Sequence, residues 1–210
     1  MRAIYTSAAV LLFTFSFAQK QFVVSSADKF GVVNENGIEI IPTKYSSVEP
    51  FDEIHPNWSK VGVNNLFGLY DKSGKLMVEA KYESIEKYGI QTKGWALVKK
   101  DGKFGFIDDS GKEIVSTIYD KVGAFGEYTK DWMLVEAKGL KGFVNKDGRI
   151  VVPVKYVDIS KFDDVKKNWA LVKDQKEKLG FIDKTGLEVI PVVYDNITAF
   201  ESKKEATDIH

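Results

Sequence analysis

The chain has no cysteine in its 210 residues. That excludes a disulfide framework, a thiolate metal site and a lipid-modified cysteine behind an export signal. For an exported protein, it points to a bacterial periplasm or exterior rather than a small disulfide-stapled domain. Histidine occurs only at 55 and 210, with no second histidine beside either, so neither a zinc site nor a Cys–His nucleophile is predicted. Net charge is also lacking: 30 Lys and Arg balance 30 Asp and Glu without a basic cluster, which excludes the electrostatic footprint of a nucleic-acid binder. Beyond residue 18 no apolar run approaches the ~20 residues of a membrane-spanning helix. No stretch there keeps a helical period over the ten or more residues a helix requires.

What is present begins at the N-terminus. Arg2 precedes an apolar run from Ala8 to Phe17, and Ser16 and Ala18 put small residues before Gln19. This is the layout of a secretory signal peptide cleaved after Ala18, and the run is too short for a membrane anchor. Removing it takes away Arg2 and leaves 29 basic against 30 acidic residues.

The remainder repeats itself. Tyr45, Tyr82, Tyr119, Tyr156 and Tyr194 are spaced by 37, 37, 37 and 38 residues. Gly31, Gly68, Gly105, Gly142 and Gly180 keep the same register, as do Gly37, Gly74, Gly111, Gly148 and Gly186. An aromatic column runs through Phe51, Tyr88, Phe125, Phe162 and Phe200, and Trp58, Trp95, Trp132 and Trp169 are all the tryptophans of the chain. The extra residue of the last copy falls within Asp174 to Lys178. Counting each unit from its Trp gives repeats over 19–57, 58–94, 95–131, 132–168 and 169–204, followed by a tail at 205–210.

The third copy shows the unit. Trp95 to Lys100 and Lys103 to Asp108 read as two strands joined by Asp101-Gly102, a pair suited to a hairpin turn with positive φ at both positions. A second turn over Asp108-Asp109-Ser110-Gly111 leads to a third strand that starts over Glu113 to Ser116, and Tyr119 opens an irregular segment. The aligned Val24, Val61, Val98, Val135 and Val172 suit a pleated, half-buried surface. Such a unit cannot bury a face alone, and about three or more must stack. The fold class is therefore all-β: five tandem antiparallel β-hairpin repeats of ~37 residues, stacked as a curved open array, with a five-bladed β-propeller-like ring as the alternative.

The segments Lys103-Phe104-Gly105-Phe106-Ile107-Asp108 and Ser110-Gly111-Lys112, with Ile40-Ile41-Pro42-Thr43-Lys44-Tyr45 and Val151-Val152-Pro153-Val154-Lys155-Tyr156, resemble the WG (KWG) repeats of bacterial proteins. The likeness spans about Gln21 to Phe200. The Trp before the first Gly of that pattern is here Phe30, Phe67, Phe104, Lys141 and Leu179, and Lys141 suggests a locally different or more exposed fourth copy. The resemblance implies the repeat fold and a bacterial, exported protein; it implies no catalytic residues.

Chemistry-bearing groups are few. The Asx-Gly turns look like the start of a calcium loop, but counting from Asp108 the twelfth position is Tyr119, not the required Glu. They read as turns in which Asn or Asp bonds its own backbone. Asp52-Glu53 and Asp163-Asp164 have the types of a glycosidase pair but read as solvated loop charges. Asn57-Trp58-Ser59 and Asn196-Ile197-Thr198 fit glycosylation acceptors, incidental in a bacterial protein. Trp58, Trp95, Trp132 and Trp169 are the candidate ligand-binding residues, a row able to stack sugars or quaternary amines. The competing expectation is that they form the core between repeats, with Trp58, in the most polar strand, as the exception. No catalytic residue, metal site or cofactor is predicted. The expected function is a non-catalytic binding or scaffold module at the bacterial envelope or exterior, secreted or periplasmic. Its partner would be a protein or an envelope glycan, and a carbohydrate- or wall-binding module is the alternative, with a hydrolase ranked last.

Overall fold

The computed structural model describes residues 20–198. The segment read as a signal peptide, Phe200 and the tail lie outside the described residues. Within them there are strands and turns and no helix. The first sheet holds β1 (Gln21–Ser26), β2 (Lys29–Asn34) and β3 (Glu39–Tyr45). The second holds β4 (Ser47–Val48), β5 (Trp58–Val63), β6 (Leu66–Asp71) and β7 (Leu76–Tyr82). The third comprises β8 (Ser84–Ile85), β9 (Trp95–Lys100), β10 (Lys103–Asp108) and β11 (Glu113–Tyr119), and the fourth β12 (Lys121–Phe125), β13 (Trp132–Ala137), β14 (Leu140–Asn145) and β15 (Ile150–Tyr156). The fifth is β16 (Asp158–Ile159), β17 (Trp169–Lys173), β18 (Leu179–Asp183) and β19 (Glu188–Tyr194). Every sheet is an antiparallel meander, and among the described residues no pairing joins the first to the fifth, so the array is open.

Local chemistry accounts for each bend. The hairpins at Ala27-Asp28, Asn64-Asn65, Asp101-Gly102 and Lys138-Gly139 have positive φ at both central residues, the twist-matched turn for antiparallel strands. The fifth copy, with its extra residue, instead turns on Asp174, whose Oδ1 accepts from the backbone N–H of Lys176 and Lys178. The second turn is an Asx turn in all five copies. Asn34, Asp71, Asp108, Asn145 and Asp183 each accept at Oδ1 from the N–H groups two and four residues on.

The last long strand of each sheet carries a bulge. In the third sheet Phe106 faces Val115 while Phe104 faces Tyr119, so three residues oppose Gly105 alone. The same register recurs in the other four sheets. A Cβ at Gly105 would lie 2.5 Å from the Val115 carbonyl oxygen, and its four counterparts meet the equivalent carbonyl at 2.5–2.6 Å. The bulge also holds Pro42, Pro153 and Pro191, tolerated where the ladder is interrupted. The third strand, which starts over Glu113 to Ser116 as the sequence indicates, runs on to Tyr119.

A further difference concerns the unit. The segment after Tyr45, Tyr82, Tyr119 and Tyr156, read from sequence as irregular, forms a short strand that pairs with the following Trp strand. A sheet therefore begins just after one Tyr and ends at the next, whereas the sequence reading began units at Trp.

Between successive sheets lie four apolar clusters, built alike. Between the second and third, Trp58, Leu69, Val78 and Tyr82 pack against Ala96, Val98 and Ile107. Between the third and fourth, Trp95, Phe106, Val115 and Tyr119 pack against Met133, Val135 and Val144. The joints at either end follow the same columns.

Candidate functional site

The four tryptophans open strands β5, β9, β13 and β17, each just after a linker that crosses the end of its sheet. Trp58, Trp95 and Trp132 retain 5%, 7% and 8% of their surface. Each indole meets, edge to face, the aromatic residue of the segment after the next Tyr. These pairs are Trp58 with Tyr88 at 5.5 Å, Trp95 with Phe125 at 5.6 Å and Trp132 with Phe162 at 5.7 Å. His55 covers Trp58 further, with ring centroids 4.3 Å apart. Such edge-to-face packing is the favoured arrangement of buried rings, and it leaves these three faces closed to a stacking ligand. Trp169 is only partly buried and lies under the Lys166 ammonium, 3.4 Å from the ring centroid. Its column partner, Phe200, lies outside the described residues.

The structure corrects the expected exception. Trp58 is the least exposed of the three, because the polar residues of its strand are satisfied locally. Ser59 is fully buried and donates to the Glu49 carbonyl at 2.5 Å, and Lys60 pairs with the Glu49 carboxylate at 2.9 Å while lying over the Phe67 ring. Strand polarity thus misled, and position in the array decides: the end copy holds the open indole.

The tyrosine column binds one sheet to the next. Tyr45, Tyr82, Tyr119 and Tyr156 are almost wholly buried. Tyr82 donates to Glu113 Oε2 at 3.1 Å and Tyr156 to Glu188 Oε1 at 2.8 Å, both in the following sheet. Where that position is Leu76, Tyr45 turns to the Tyr70 hydroxyl at 3.0 Å. Burial, reinforced by these partners, pushes the Tyr45, Tyr82 and Tyr156 hydroxyls well above the usual phenol range.

Of the charged candidates, Asp52 and Asp163 are engaged. Asp52 accepts from Lys72 at 2.8 Å and from the Asn57 N–H at 2.6 Å, and Asp163 repeats this with Lys184 and Asn168. The lysine bonds hold both carboxyls below the ordinary carboxylate range, the opposite of what a general acid needs. His55 Nε2 lies 3.4 Å from Asp109 Oδ1. Among the described residues no group of three His, Cys, Asp or Glu is arranged to hold a metal ion. The Asx oxygens that suggested a calcium loop are taken up by backbone N–H groups. Lys141 is no more exposed than the half-buried aromatics at its position. It stands across the strand pair from Glu136 and bonds Asp158 at 2.6 Å, which raises its own pKa and lowers that of Asp158.

The linkers 49–57, 86–94, 123–131 and 160–168 share little sequence beyond the aromatic that packs on Trp. Each spans between a positive-φ residue at Asp52, Gly89, Gly126 or Asp163 and the Trp strand. They present Ile90 and Val165, 66% and 60% exposed. Sequence reasoning passed over these positions because only repeated columns drew notice.

A family model described as "WG containing repeat" matches residues 30–53, 67–104, 104–128, 142–178 and 180–204. No curated protein matches the chain. Among solved structures 35 chains match. One is the crystal structure of Hsv2 from Kluyvelomyces marxianus, 13% identical with a TM-score of 0.28. The match covers 80% of this chain and 60% of that one, and likeness at this level transfers nothing. Among the described residues no helix is long and apolar enough to cross a membrane.

Proposed function

Since the chain belongs to the WG repeat family, we propose that it is a non-catalytic binding or scaffold protein, exported by the signal sequence of its first 18 residues and acting at the bacterial envelope or exterior. The observation that carries this reading is the contrast between a strictly repeated frame and unrepeated linkers. Turns, bulges and joints recur copy after copy, while the linkers along one end of the sheets differ and expose Ile90 and Val165. Varied loops on a rigid scaffold are where recognition usually resides, and stacked repeats present them as one extended surface. A protein partner is favoured over an envelope glycan, because burial removes the stacking faces of Trp58, Trp95 and Trp132. The balanced charge argues against nucleic acid. An enzyme is disfavoured because one member of each carboxylate pair, Asp52 and Asp163, is committed to a lysine and to backbone.

Photo-crosslinking in intact cells from positions 90 and 165 tests this. Crosslinks to one envelope protein, lost in Ile90→Asp and Val165→Asp proteins that melt like wild type, are expected. Glycan binding that survives both substitutions would turn the reading to a carbohydrate module. Export is checked separately by sequencing the secreted protein, which should begin at Gln19; an intact Met1 there would overturn it.

A further inference from the structure

The two ends of the array are unlike, and each lacks what the other offers. Among the described residues the first sheet has three strands where the others have four. In the others, the outermost strand is the short segment starting two residues after a Tyr: Ser47, Ser84, Lys121 and Asp158 follow Tyr45, Tyr82, Tyr119 and Tyr156 in this way. Asn196–Ile197 stands at that place after Tyr194 and pairs with no strand among the described residues. At the opposite end β1 is an edge strand with Phe22 and Val23 exposed, the kind of edge that invites pairing.

Side chains tell the same story. Tyr194 is 47% exposed, whereas its four counterparts are at most 4% exposed. It borders an open groove of about 520 Å³ with Val189, Ile190, Pro191 and Ile197. Phe22 is 50% exposed, while the residues at its position in later copies, Ser59, Ala96, Met133 and Ala170, are fully buried, the last three against the preceding sheet. A Cβ at Gly74, Gly111, Gly148 or Gly186 would meet a carbonyl of the preceding sheet at 2.3–2.9 Å, yet one at Gly37 meets nothing within 4 Å. Glu39 occupies the position of Glu113 and Glu188, the acceptors for Tyr82 and Tyr156.

We propose that the protein binds a second copy of itself head to tail, the fifth sheet of one molecule docking on the first sheet of the next through the joint that each molecule already makes four times internally. Asn196–Ile197 adds the missing strand beside β1, with Ile197 opposite Val24 as Val48 stands opposite Val61. Tyr194 covers Phe22 and donates to Glu39, and Gly37 seats on the Val189 carbonyl. A second copy is the fitting occupant because the open face repeats the shape and hydrogen bonding of the chain's own internal joints. This goes beyond the proposed binding role and does not depend on which ligand the linkers recognise. A joint between unlike faces leaves one face of each kind free, so growth continues past the dimer.

Light scattering on the purified protein over a dilution series tests this, using Phe22→Glu and Tyr194→Lys, both at exposed positions. Wild type should rise in mass with concentration beyond about twice the monomer, and each variant alone should stay monomeric with an unchanged dilute melting curve. Mixing the variants should restore a 1:1 dimer that grows no further, since one keeps an intact fifth sheet and the other an intact first. Wild type monomeric throughout, either variant still associating by itself, or a mixture that fails to associate would overturn the proposal.

Discussion

At the scale of single residues the array is held by side chains that each touch the next copy, and by glycines where a Cβ has no room. A Cβ at Gly105 would collide with backbone atoms at 2.5 and 2.8 Å, which cannot swing aside. Gly105→Ala should therefore cost about 1–3 kcal/mol, as overpacking does. Gly123 is the control: its Cβ would meet the end of the Glu127 side chain at 3.3 Å, and Gly123→Ala should stay within ~0.5 kcal/mol. Denaturant titrations of the two proteins check this; equal effects would contradict the crowding argument. The tryptophans divide likewise. Trp58→Ala should destabilise by about 3–5 kcal/mol, as for other buried aromatics, and Trp169→Ala by less. An emission spectrum like that of free tryptophan, dominated by water-exposed indoles, would overturn the burial of the column.

At the scale of strands and turns, the five Asx turns set the geometry, and the three built on Asp set a dependence on pH. Burial opposes ionisation of Asp71 and Asp108, but hydrogen bonds from Ser73 and Lys75, and from Ser110 and Lys112, outweigh it and lower both carboxyls. Asp183 is lowered chiefly by the Thr185 hydroxyl. A carboxyl with a depressed folded pKa contributes stability that is complete above its unfolded value and lost as pH falls through the folded one. Melting temperature should hold down to about pH 4 and drop below it. The buried tyrosines act in the opposite sense: their raised pKa values give stability complete below the unfolded phenol value and lost as pH climbs past ~10. Asp108→Asn, which keeps the acceptor as Asn34 and Asn145 do, should flatten part of the acid limb; an acid limb unchanged in that variant would remove Asp108 from the account. These turns and the long strands were legible in the sequence because each is a local matter, an Asx-x-x-Gly turn or a β-branched column. The short strands were not. Ser47-Val48, Ser84-Ile85, Lys121-Val122 and Asp158-Ile159 share a β-branched second residue, but two residues are too few to show alternation, and they become strands only because the next sheet offers an edge.

At the scale of the whole molecule the sequence columns conceal one variable, the position of a copy in the row. Tyr82 and Tyr194 belong to one column, yet one is fully buried and the other is 47% exposed. In the tryptophan column only the exception is misplaced: the polarity of its strand marks Trp58 as the open one, yet it is 5% exposed. In such one-dimensional arrays stability is approximately a sum of unit and joint contributions, so the middle sheets, with two joints each, open less readily than the end sheets with one. Tyr82→Ala should cost about 3–5 kcal/mol and leave Glu113 Oε2 without its tyrosine donor, whereas Tyr194→Ala in dilute protein should be nearly silent. Hydrogen exchange then gives the sharper reading. At low concentration the backbone amides of β1–β3 should exchange fastest, those of β9–β14 slowest, and β1 should gain protection as concentration rises and its edge is covered by another copy. Exchange uniform from β1 to β19 and insensitive to concentration would mean that the array opens as one cooperative unit, and that neither its ends nor its joints behave as independent contributions.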